Sequence, residues 1–209
     1  MEAVRQNEEA LKYVKEQTKE ICLLAVKKNG FVLNYVEEQT DEICIGAVRQ
    51  NGYALKFVKE QNEEICIEAV RRSGWALQYV KEQTHDICLI AVEGDASALR
   101  FVKRKVLSED QFDKICRESL KQDRHLIGYI KDKEKYLEEF YIRYLKKQGK
   151  AREVIAIKED GEWLFTVGCQ EDIDIEEFIY RIYDTDGGFD PEEGVNVHRQ
   201  VYLDFLKEF

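Results

Sequence analysis

Apolar and polar positions follow one another in a block that recurs every 22 residues along the first half of this chain. Ala-Val pairs begin at Ala3, Ala25, Ala47, Ala69 and Ala91, and between them runs the template A-V-basic-x-N-G-aromatic-A-L-x-Y/F-V-x-E-Q-T-x-E-I-C-I/L-x. A fixed period of this length marks a repeat architecture. The Ile-Cys step recurs at Cys22, Cys44, Cys66 and Cys88. It returns at Cys116 after a six-residue insertion containing "VLSEDQ". A degenerate sixth copy places Ile127, Tyr129 and Ile130 where the fourth has Leu77, Tyr79 and Val80.

Each block reads as two short helices. "YALKFV" sets Tyr53, Leu55, Phe57 and Val58 on one stripe, and "EICIEAV" does the same with Ile65, Cys66, Ile67, Ala69 and Val70. Both are too interrupted by polar residues for a central strand. Thr18, Thr40, Asn62 and Thr84 are N-caps for the second helix, and the acids that follow suit its positive end. Basic residues and then Asn-Gly or Ser-Gly close it, which predicts a left-handed glycine stop. Helices of about ten residues are marginal alone, so stability must come from stacking unit on unit. The expected fold is mainly α: an α-solenoid, with a smaller α+β module behind it.

The tempting cluster His85, Asp86, Cys88 dissolves into this period. Cys88 is one rung of a column of buried small residues, and His85 shares its column with Lys19, Asp41 and Glu63, a solvated helix start. Zinc would require close cysteine pairs, and the sequence has none. Gln17, Gln39, Gln61 and Gln83 form a further column, read as a ladder of amides tying loop to loop.

Two aromatic columns differ in kind. Tyr13, Tyr35, Phe57, Tyr79, Phe101 and Tyr129 run through the array and are assigned to the core. The other column, Glu9, Phe31, Tyr53, Trp75, Ser97 and His125, is aromatic only in three consecutive units. Phe31 follows Lys27-Lys28 across its Asn-Gly turn, and Tyr53 and Trp75 follow Arg49 and the pair Arg71 and Arg72 in the same way, so the candidates are the three rings and the three arginines. Aromatics beside arginine are the usual composition of interaction hot spots, which makes these six residues candidates for contact with a protein partner. Packing across the seam between units is the competing role for the three rings. Direct nucleic-acid binding is disfavoured, because residues 1–105 carry 16 basic against 17 acidic side chains.

Beyond the array the pattern changes. Residues 131–149 read as one capping helix with Tyr136, Leu137, Phe140, Tyr141, Tyr144 and Leu145 inward and Gly149 as its stop. "EVIAIKEDGEWLFTVG" alternates around Gly161, a hairpin, and two helices follow. The expected domains are a solenoid over 1–130, a capping helix over 131–150 and an α+β module over 151–209. This module holds 5 basic and 16 acidic residues, essentially all of the chain's net charge of −10. Asp184, Asp186 and Asp190 have the spacing of a calcium loop, yet Gly188 and Phe189 occupy positions where an oxygen ligand and a glycine are needed. The acids read first as an ordinary turn on a solvated acidic surface; the specific alternative is a decoy that occupies a basic surface of a partner, such as one that binds nucleic acid. Cys169 and His198 are the residue types of a thiol enzyme, but no surrounding signature supports one.

Composition adds bounds. Apolar residues make up 44% of the 209, enough for a core, and no apolar run reaches the length of a membrane span. The expectation is a cytoplasmic protein with reduced cysteines, no enzyme activity and no cofactor or metal. The stretch "AVRQNGYALKFVKEQNEEICIEAVRRSGWALQYV" resembles an uncharacterised family of tandem helical repeats with an "AVKQNG-x-ALQY" core. The likeness runs over about residues 3–102, with an echo to residue 130. It implies a helical repeat scaffold and supplies no catalytic residues.

Overall fold

The computed structural model describes residues 1–148, 151–168, 170–183 and 199–209. The chain divides into two units, Met1–Tyr129 and Ile130–Phe209.

In the first unit one α-helix per block stacks on the next: α1 Glu2–Gln6, α2 Lys19–Lys28, α3 Asp41–Gln50, α4 Glu63–Arg72, α5 His85–Gly94 and α6 Glu109–Gln122. The hydroxyls of Thr18 and Thr84 and the amide oxygen of Asn62 accept from the backbone three residues on, as N-caps do. Thr40 makes no such bond. Helix α6 begins at a full capping box between Ser108 and Gln111.

The segment before each of these helices is not a second α-helix. Gly30–Tyr35, Gly52–Phe57, Gly74–Tyr79 and Ala96–Phe101 are 3-10 helices of six residues each. The tighter winding, three residues per turn, sorts the side chains. Leu55 and Val58 share the inward line and are buried, Tyr53 and Lys56 share an outer line, and Ala54 and Phe57 lie between. The core columns are therefore Leu11, Leu33, Leu55 and Leu77, with Val36, Val58 and Val80 and the helix residues Ile43, Ile65 and Ile87. The continuous aromatic column, expected inside, lies outside the core: Tyr13 is 77% exposed, Tyr35 36% and Tyr129 55%, while Phe57, Tyr79 and Phe101 are half-buried.

The left-handed stop is also absent. Asn29, Asn51 and Ser73 end their α-helices in extended conformation, and the Asn29 and Asn51 side chains then accept from Phe31 N and Tyr53 N to start the 3-10 turn. The glycine is needed for close approach. A Cβ on Gly30, Gly52 or Gly74 would stand 2.4, 2.5 or 2.6 Å from the carbonyl oxygen of Ala47, Ala69 or Ala91 in the following helix. Where Ala96 replaces this glycine, the six-residue insertion intervenes before α6. Ser119 then occupies the alanine position and donates its hydroxyl to Ala96 O at 2.9 Å.

The second unit is a four-stranded antiparallel meander in the order β1 Ile142–Leu145, β2 Val154–Glu159, β3 Glu162–Val167 and β4 Gln170–Ile173. Helices α7 Glu134–Leu137, α8 Ile175–Tyr183 and α9 Arg199–Phe205 complete it. The single capping helix expected over 131–149 does not form. After the one turn of α7, Tyr141 adopts φ +53, and Ile142–Leu145 pair with Val154–Ile157 instead. Pairing buries Ile142 completely, a residue that the helical reading left off the apolar face. The second unit accordingly starts at Ile130 rather than at residue 151.

The hairpin at Gly161 forms as the alternation predicts, with Asp160 and Gly161 both at positive φ and Glu159 opposite Glu162. Phe165, Phe178, Ile182, Tyr202 and Phe205 fill the core of this unit, with Phe165 and Phe178 stacked at 4.6 Å. Arg152 N donates to the Tyr202 hydroxyl at 2.9 Å. Among the described residues, no helix is long and apolar enough to cross a membrane, and no cluster of His, Cys, Asp and Glu is arranged to hold a metal ion.

Candidate interaction surface

The polar columns of the repeat are joined into one clamp. Gln39 Nε2 donates to Leu33 O in its own block at 3.2 Å and to Phe57 O in the next at 3.0 Å, and its Oε1 accepts from Lys59 N at 2.9 Å. Gln17, Gln61 and Gln83 repeat all three bonds. The amides do not stack on one another: each closes the end of its own 3-10 helix and pins the backbone of its neighbour. The same Oε1 faces a cysteine sulfur at 3.8, 3.8, 3.7 and 3.5 Å for Cys22, Cys44, Cys66 and Cys88. Burial pushes the thiols of Cys44, Cys66 and Cys88 up to about 11, so each stays protonated and donates. The cysteines are thus more than small apolar fillers. His85 is likewise not a solvated residue: its side chain is 19% exposed, Nδ1 lies 2.9 Å from Asp86 Oδ1, and Nε2 is buried without a hydrogen-bond partner.

Held on this frame, the two aromatic columns interlock. Phe31 meets Phe57 edge-on at 6.1 Å, Tyr53 meets Tyr79 at 6.1 Å, and Trp75 meets Phe101 at 5.4 Å. Each variable ring therefore packs on the constant ring of the following block. Phe31 remains 38% exposed, while Tyr53 and Trp75 are half-buried. The rings span the seam, which is the packing role weighed from sequence, and keep a solvent face. Trp75 Nε1 also donates to Ser97 Oγ at 2.7 Å.

The cations of this belt are not those that the sequence pointed to. Lys56 Nζ lies 5.0 Å from the Phe31 ring centre and 4.7 Å from that of Phe57. Arg100 Cζ lies 5.1 Å from Trp75 and 4.7 Å from Tyr129. Lys12 takes the same place over Tyr13 and Tyr35. All three precede a constant aromatic, and the intervening blocks carry Asn34 and Gln78 there, so a cation stands in every second block. Arg49 and Arg71 instead grip Glu68 at 2.6 and 3.5 Å, and Arg49 holds that carboxyl below its ordinary range. Arg72 Nε donates to Gln50 O at 3.4 Å. A 3.0-residue winding brings Lys56 beside Tyr53, a neighbourhood that the α-helical reading obscures.

Of the other candidates, Asp184, Asp186, Asp190, Cys169 and His198 lie outside the described residues.

Compared with known proteins, residues 1–40, 18–61, 40–84 and 62–107 match the family described as Domain of unknown function (DUF4116), and the chain belongs to it. The last three matches advance by 22 residues, the period of the Gln clamp and of the ring pairs. No curated protein and no solved structure matches the chain.

Proposed function

We propose that this member of the DUF4116 family is a non-enzymatic scaffold that holds a protein partner on the solenoid surface, along the belt of Phe31, Tyr53, Trp75 and the rings and cations interleaved with them. The observation that carries the reading is the belt itself: paired rings half open to solvent, on a backbone clamped block to block by the glutamines. Repeat arrays use such extended surfaces for binding, and rings already fixed by edge-on packing lose little freedom when a partner covers them.

Affinity capture with the full chain tests it. Tyr53→Ser with Trp75→Ser, checked for folding by circular dichroism, is expected to lose the captured partners. Unchanged capture would overturn the reading. Loss on replacing Asp184, Asp186 and Asp190 by asparagine, with the belt variant unaffected, would move the function to the acidic segment as a decoy for a basic surface.

A further inference from the structure

We propose that the occupant of the belt is an extended, acidic, proline-rich segment of a partner protein, seated as a polyproline II helix with one turn per block. The proposal rests on the interaction-surface reading and deepens it, and three observations on the belt converge on it.

First, Lys56 and Arg100 face rings and make no hydrogen bond or ion pair with a carboxylate among the described residues, whereas Arg49 and Arg71 share Glu68. Two cations left on an aromatic surface are complementary to an incoming acid. Second, half-exposed or exposed rings recur on one line in three consecutive blocks, Phe31, Tyr53 and Trp75, the aromatic lining on which proline-rich segments dock. Third, the spacings agree. Consecutive α-helices of the array pack directly on one another, and packed helices lie about 8–10 Å apart. A polyproline II turn of three residues advances about 9.3 Å. Every third side chain of such a segment therefore meets the same column. Lys56 and Arg100, two blocks apart, match acids six residues apart, which span about 19 Å.

A nucleic acid would also offer negative charge and stackable rings, but it needs a net positive surface, and residues 1–105 carry one more acid than base.

The test is direct titration of the full chain with dye-labelled peptides whose ends are blocked. The long acidic peptide has five consecutive prolines between two glutamates, and it is expected to bind and to weaken as salt is raised. A short acidic peptide, with only two prolines between its glutamates, sets the acids one block apart and is expected to bind several-fold more weakly. A basic peptide, with lysines flanking five prolines, is expected not to bind. Lys56→Glu with Arg100→Glu, two exposed substitutions compatible with the fold, is expected to weaken the long acidic peptide by about tenfold and to let the basic peptide bind. Equal affinity for the acidic and basic peptides, indifference to the charge reversal, or tighter binding of a single-stranded oligonucleotide than of the long acidic peptide would overturn the proposal. If the belt variants lose their captured partners while the long acidic peptide fails to bind, the surface reading stands and this occupant is wrong. If capture is also unchanged, both fail.

Discussion

The two units of this chain solve the same problem, burying short elements that cannot stand alone, by opposite means. In the array the main stabilising contacts, the glutamine bonds and the ring pairs, recur block after block. The Gln39 amide reaches Phe57 O 18 residues on and Lys59 N 20 residues on, Gln61 does the same from the next block, and the ring pairs fall 26 residues apart. In the sheet unit nothing recurs. Arg152 N bonds the Tyr202 hydroxyl 50 residues away, and one ring, Phe165, stacks on Phe178 and touches Phe209. The contrast teaches that periodicity transmits structure through many equal, modest terms, whereas a non-repeating core concentrates it on a few side chains. The array is also nearly neutral, so its surface chemistry comes from placement of rings and cations rather than from net charge.

The largest effect that would sharpen the contrast is Phe165→Ala, expected to cost about 4 kcal/mol because a fully buried ring leaves a cavity. The two tryptophans, Trp75 and Trp163, lie one in each unit, so urea titrations on Trp75→Phe and Trp163→Phe backgrounds read the units separately. A loss below about 1 kcal/mol at Trp163 would mean that the core does not centre on Phe165.

Next comes Gly52→Ala, expected to destabilise the array by about 3 kcal/mol, since the new methyl would sit 2.5 Å from Ala69 O. Its control is Gly46→Ala inside α3, where the nearest atoms lie at ordinary contact distance. That change should stabilise by about 0.5–1 kcal/mol through helix propensity. Equal behaviour of the two would refute the close-approach account of the Asn-Gly motif.

Gln83→Ala follows, at about 2 kcal/mol. It strips the partners from Leu77 O, Phe101 O and Lys103 N around a side chain only 6% exposed. Hydrogen exchange should show the loss at the backbone of both adjoining blocks. Faster exchange confined to one block would contradict the clamp.

The last prediction is a pH dependence. The thiols of Cys44, Cys66 and Cys88 are raised in the fold from the ordinary value of 9.0 to about 11. A thiol more easily ionised when unfolded favours the fold below about pH 9, and that contribution is lost as pH rises toward 11. The urea midpoint of the array should fall between pH 8 and pH 10.5, and fall less in Cys44→Ala with Cys66→Ala and Cys88→Ala. An equal fall in both proteins would assign the dependence to other groups.

Much of the array is legible without coordinates. Ala-Val, Ile-Cys and Thr-x-Glu at a fixed step locate the α-helices, and Thr18, Asn62 and Thr84 cap them as their types dictate. The first half-block misleads because six residues are too few for a period of 3.0 to be told from 3.6. That difference moves Phe57 from core to flank and brings Lys56 beside Tyr53. It also hides the cation column, so Arg49 and Arg71 draw attention although Glu68 already holds them. The stretch 131–149 misleads for a related reason: Tyr136, Leu137, Phe140, Tyr141, Tyr144 and Leu145 fit a helical stripe, while the partner strand that claims Ile142 lies beyond the window in which periodicity is read.

The sequence by itself determined the repeat, its 22-residue step, the helices that carry it and the hairpin at Gly161, because each depends on side chains within one or two turns. Tertiary structure decided the rest. It made the glycine a point of close approach rather than a left-handed stop, turned the glutamine and cysteine columns into a clamp on the next block, and kept the constant rings out of the core. Each of these outcomes depends on where a neighbouring block's carbonyl or ring arrives, and that position is a property of packed helices rather than of any one segment.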